Sequence, residues 1–193
     1  MDVRVTTDLT AEPVLKAVMR NYLEFTATDT TEDTLIESMI KSARIKIENM
    51  CNVALGEKTL TVLFKADEVV NDSVVLPYIP FVSITTVKLV DISGTKTTLT
   101  LNSDYYKQGL NEITVFISSN GAGILPGASI TGQDVEVIYT CGYGENSETL
   151  PKIFEDLIKL QVKIWYLRGD SDVSMLQDEF DRGIQSVNQN TWL

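Results

Sequence analysis

The chain's hydrophobic period changes twice, and this constrains the fold more than any single motif. Residues 10–51 read at a helical period, residues 58–141 at a period of two, and the helical period returns at Leu150-Pro151. One sequence therefore has to build helices on both sides of a run of short strands. That pattern argues for an α+β protein and against a parallel βαβ sheet. The expected architecture is an N-terminal helix pair and a C-terminal helix forming a small bundle. Between them lies an inserted antiparallel β-domain, sandwich-like or barrel-like, and a C-terminal extension follows. The expected boundaries are 8–55, 56–142, 149–169 and 170–193. At 193 residues, the chain suits one domain carrying such an insertion.

In the first helical stretch, Thr10 is the expected cap, with Pro13 in the first turn. Val14, Leu15, Val18, Tyr22 and Leu23 then share a face. After the polar turn 26–31, Thr30 and Asp33 fit a capping box. Ile36, Ile40, Ala43, Ile47 and Met50 follow at spacings of 4, 3, 4 and 3, the seam of a helix packing on a helix.

In the middle stretch, Leu60, Val62 and Phe64 alternate with Thr59, Thr61 and Leu63. Further short runs fall at Val87–Leu89, Thr98–Leu101, Glu112–Ile117 and Val135–Tyr139. Turn signals at Ser93-Gly94, Gly109 with Asn111, 120–123, Pro126-Gly127 and Gly132 separate them. Leu76-Pro77-Tyr78-Ile79-Pro80 reads as a stiff, extended link.

The helix after Pro151 is expected to run to about Arg168 and to stop at Gly169. It carries two apolar seams: Phe154, Leu157, Ile158 and Trp165, then Ile153, Leu160, Ile164 and Leu167. One seam suffices for an ordinary surface helix, so a second cover is required. The expected cover is another copy of the chain, with Ile153, Leu157, Leu160, Ile164, Trp165 and Leu167 as lateral-contact residues. The tail from Asp170 holds five acidic residues against one arginine, yet also Met175, Leu176, Phe180, Ile184 and Trp192. It reads either as a last helix packed on its own domain or as an arm whose apolar residues anchor a partner.

Composition excludes much chemistry. There is no histidine, which removes the Ser-His-Asp and Cys-His arrangements and most zinc and non-haem iron sites. The net charge of -11 leaves too little base for an autonomous nucleic-acid binder. Asp170, Asp172, Ser174, Asp178 and Asp181 make a poor calcium loop, with Met175 where a sharp turn needs glycine. Gly142-Tyr143-Gly144 is a turn between strand and helix, without a phosphate-binding pattern. Glu155 and Asp156 are adjacent and diverge on a helix, so they form no acid/base pair. Cys51 and Cys141 read as packed, reduced thiols. The sequence shows no signal peptide and no 18-residue apolar run. No catalytic residue, cofactor or metal is expected.

An ordered series of segments carries a resemblance. Ala43-Arg-Ile-Lys-Ile-Glu48 leads into Cys51-Asn-Val-Ala-Leu55. Leu76 to Pro80 supplies an LP-x-x-P segment before Val82-Ser-Ile-Thr-Thr-Val87. Tyr105-Tyr106 precedes Val135-Glu-Val-Ile-Tyr-Thr-Cys-Gly-Tyr143, and Leu150-Pro151 opens a helix ending in Trp165-Tyr-Leu-Arg168. Over residues 8–168 the chain resembles the head–tail connector (head-completion adaptor) proteins of tailed bacteriophages, in the version with an inserted β-domain. The resemblance implies a structural virion protein without enzymatic activity. Such a protein is a subunit of a ring, commonly of twelve copies, docked beneath the portal protein. The ring extends the channel for viral DNA, which passes without sequence-specific binding, and offers a surface to tail or further connector proteins. It implies a place at the head–tail junction of the virion, with assembly in the host cytoplasm and no membrane partner. A different reading of the β-region is a carbohydrate- or surface-binding module, which requires an exposed aromatic platform among Tyr78, Phe81, Tyr105, Tyr106 and Tyr143.

Overall fold

The computed structural model describes residues 1–25, 30–110, 112–117, 132–144, 149–167 and 173–190. Among the described residues, four α-helices and two antiparallel sheets make an α+β protein, and neither sheet closes into a barrel. The chain divides into two compact units, Met1–Asp8 with Glu57–Gly142, and Leu9–Gly56 with Tyr143–Leu193.

The first unit contains both sheets. Five strands, β1 (Asp2–Thr7), β2 (Lys58–Phe64), β4 (Phe81–Val90), β5 (Lys96–Leu99) and β8 (Asp134–Cys141), hydrogen-bond in the order β1-β2-β8-β4-β5. Three more, β3 (Ser73–Val75), β6 (Tyr105–Gln108) and β7 (Thr114–Ile117), form the order β3-β7-β6. The period-two residues are where alternation puts them: Leu60, Val62 and Phe64 are buried on β2, and Val135, Val137 and Tyr139 on β8. The register is continuous from Lys58↔Cys141 to Phe64↔Val135. β4 carries bulges against β8 between Phe81 and Ser83 and between Ile84 and Thr86. β1 was not expected. Only one of its six residues is even half-buried, so no hydrophobic pattern announces it, and its place rests on backbone pairing with β2.

The turn residues act by conformation. Asn71 and Asp72 both have positive φ and close a two-residue hairpin between Val70 and Ser73. The Leu76–Pro80 link contains a cis Ile79-Pro80 bond. It is tied to the sheet by Gly142 N–H donating to the Pro80 carbonyl at 2.8 Å, and by Tyr78 N–H donating to Tyr139 Oη at 3.1 Å. Tyr139 is fully buried, and burial pushes its phenol pKa upward. The expected turns at 120–123 and 126–127, and Asn111, lie outside the described residues.

The second unit is helical: α1 (Lys16–Tyr22), α2 (Asp33–Cys51), α3 (Lys152–Tyr166) and α4 (Val173–Asn190). α3 packs on both α2 and α4, and α2 also touches α1. Several local expectations are corrected here. α1 begins at Lys16, not after Thr10, and buries Met19 beside Val14, while Leu15, Val18 and Tyr22 are exposed. The helix is too short to align the five residues expected on one face. The Thr30–Asp33 capping box does not form. Asp33 instead receives Lys16 at 3.1 Å and Arg20 at 2.6 Å, and these ion pairs engage the carboxylate the box needed. The α2 seam holds at Ile36, Ile40, Ala43 and Ile47, then continues to Cys51 rather than Met50, which is 41% exposed. Asn52 closes α2 in the left-handed conformation. Pro151 is the N-cap of α3.

Candidate interaction surface

α3 sits at the centre of the helical unit, and its burial decides what remains for a partner. Phe154, Leu157, Ile158, Leu160, Gln161, Val162 and Ile164 are all buried. The second apolar seam has its cover within the chain, since α4 lies against α3 and places Phe180, Ile184 and Val187 in the core. The approach is close enough that a side chain at Gly183 would meet Leu157 Cδ2 at 2.7 Å. The lateral-contact expectation is therefore corrected for Leu157, Leu160 and Ile164, which are buried in the chain's own bundle and leave little surface for a second copy. Of the expected set, Ile153 is 39% exposed, and Trp165 and Leu167 are half-buried.

The tail expectation is corrected in the same way. Residues 173–190 form a helix of the bundle, and Phe180 and Ile184 are core residues, not free anchors. Met175 is 73% exposed and Leu176 half-buried. Trp192, Asp170 and Asp172 lie outside the described residues, and Asp181 accepts a hydrogen bond from Gln177 at 2.9 Å.

Charged groups hold the helices in place. Arg44, 2% exposed, forks onto Glu12 at 2.7 and 3.2 Å and onto Glu48 at 3.0 Å. The other Glu48 oxygen accepts Leu55 N–H at 2.9 Å, so a buried carboxylate has partners on both atoms. Lys46 Nζ donates to Gln161 Oε1 at 2.6 Å and lies 4.9 Å from the centre of the Phe180 ring. One ammonium thus pins α2 to α3 and α4 together. From sequence, Ala43–Glu48 contributes only to a resemblance, with no packing role assigned to these polar groups, because an i,i+4 Arg44–Glu48 pair looks like any exposed one.

One of several grooves on this unit lies between α1, α3 and α4. Its floor is Leu157 and Leu160, its half-open walls are Tyr22 and Ile153, and its rim holds Asp156, Lys159 and Glu179. Burial raises the Tyr22 pKa, and the charges of Glu179 and Asp156 add to the effect. Lys159 is largely covered and ion-pairs with Glu155. Lys152 and Lys159 together hold the Glu155 carboxyl below its ordinary range. Asp156, 60% exposed, lies 3.7 Å from both Lys152 and Lys159, so the rim carries charges of both signs.

The two cysteines form no disulfide and are buried, and burial pushes the Cys51 thiol up to about 11. Among the described residues, no group of three acidic or cysteine residues is placed to hold a metal ion. No described helix is long and apolar enough to cross a membrane. The aromatic platform required by the surface-binding reading is absent from its five candidates. Tyr105 is buried, Tyr106 stacks on Phe116 at 4.7 Å, and Tyr143 contacts Phe154 at 5.9 Å. Lys58 lies over Tyr78 at 4.9 Å and Lys107 over Phe81 at 4.4 Å.

With both units in view, solved structures supply the comparison. A chain in the neck of the empty gene transfer agent (GTA) particle, computed with C6 symmetry, superposes with a TM-score of 0.69. The match covers 93% of this chain and 95% of that one, at 22% identity. This chain has the fold of a GTA neck chain. A chain of the native GTA virion matches equally well, at a TM-score of 0.69 and 22% identity over 93% and 95% of the two chains. A chain of the native GTA neck computed with C12 symmetry gives 0.65 at 22% identity, over 93% and 94%. No protein-family model and no curated protein matches the sequence. At 93% coverage the match takes in most of both units.

Proposed function

We propose that this chain is a structural subunit of a head–tail connector, assembled as a ring at the neck of a phage-like particle. One observation carries the reading: 93% of the chain shares its fold with chains of GTA necks, which were solved with six-fold and twelve-fold symmetry. The resemblance drawn from the segment order points to the same class independently. In this reading the ring, of twelve copies, docks on the portal protein, extends the DNA channel and receives tail components. A net charge of -11 suits a lumen past which DNA slides, because basic walls would retain phosphates. Ile153, Trp165 and Leu167 serve the lateral contact, while Leu157, Leu160 and Ile164 hold the bundle that presents them. Met175 and Leu176, on the first turns of α4, and Trp192 beyond it serve as the anchor for an adjoining protein. No catalytic role is part of the reading.

Native mass of the purified chain, alone and mixed with the portal protein of the same genome, tests it. The expected result is a closed oligomer, or a large complex formed only with portal. A chain that stays monomeric and also ignores its portal overturns the reading.

A further inference from the structure

We draw no further inference here: the strongest candidate, the groove between α1, α3 and α4 with its apolar floor at Leu157 and Leu160, has rim charges Asp156 and Lys159 that are paired within the chain, and nothing in the structure shows what covers it.

Discussion

Arg44 shows how much a single side chain does here that the sequence hides. It is buried against Glu48, 3% exposed, and half-buried Glu12, and removing it takes from Glu48 the cation at 3.0 Å. Arg44→Met is expected to cost about 3–5 kcal/mol in denaturant unfolding, the usual range when one member of a buried ion pair is lost. A loss within experimental error would mean that water reaches Glu48. Glu136 makes a second prediction, about pH. Burial raises its pKa, but Lys96 and Lys88 outweigh that, so the net folded value is depressed below the ordinary 4.5. A depressed carboxyl stabilises the fold above its unfolded pKa, and that contribution disappears as pH falls below about 4.5. Glu136→Gln is therefore expected to flatten the acid limb of a stability–pH profile while changing its shape little above pH 6. At this scale the sequence was ambiguous by a single residue. A 3.6-residue period permits either Met50 or Cys51 to end the α2 seam, and packing, which the pattern does not contain, selects Cys51.

Among the elements, α2, α3 and the longer strands were legible because each buries a periodic face. β1 was not, because it buries almost nothing, and β3, at three residues, is too short to show a period. The two seams on α3 were also visible, but a seam demands a cover without naming it. The cover is α4, whose acidic outer face made it look like an arm. This packing sets the outcome of truncation. Removing residues 170–193 takes Phe180, Ile184 and Val187 from the core and exposes the α3 seam. The shortened chain is expected to lose cooperative unfolding or to aggregate, rather than remain a folded domain deficient only in docking. Far-UV and near-UV circular dichroism through a thermal scan distinguish the two outcomes. Phe180→Ala is the milder version, expected to cost about 3–5 kcal/mol for a large core side chain. It should also raise amide exchange along α4 before the rest of the bundle.

For the molecule as a whole, neither compact unit is one continuous segment. The chain passes between them after Asp8, after Gly56 and after Gly142. The β-unit therefore needs residues from the start of the chain as well as the middle. A fragment of residues 57–142 lacks β1, leaving the β2 edge unpaired. It is expected to be less stable and more prone to self-association than the same fragment with residues 1–8 joined by a linker, as sedimentation would show. The copy number of the proposed ring was not legible at all, since symmetry resides in a rotation between copies and leaves no mark in a sequence.

The register adds a mechanical consequence. All three crossings leave the five-stranded sheet at the same end, where Thr7 pairs with Thr59 and Lys58 with Cys141. A load applied to the far end of the sheet reaches the helical unit along β1, β2 and β8 in parallel. These three strands are lateral neighbours, and their ladder bonds run perpendicular to the pull. Tension along that direction is divided among three neighbouring strands pulled the same way, so the ladder between them is not opened one bond at a time from an edge.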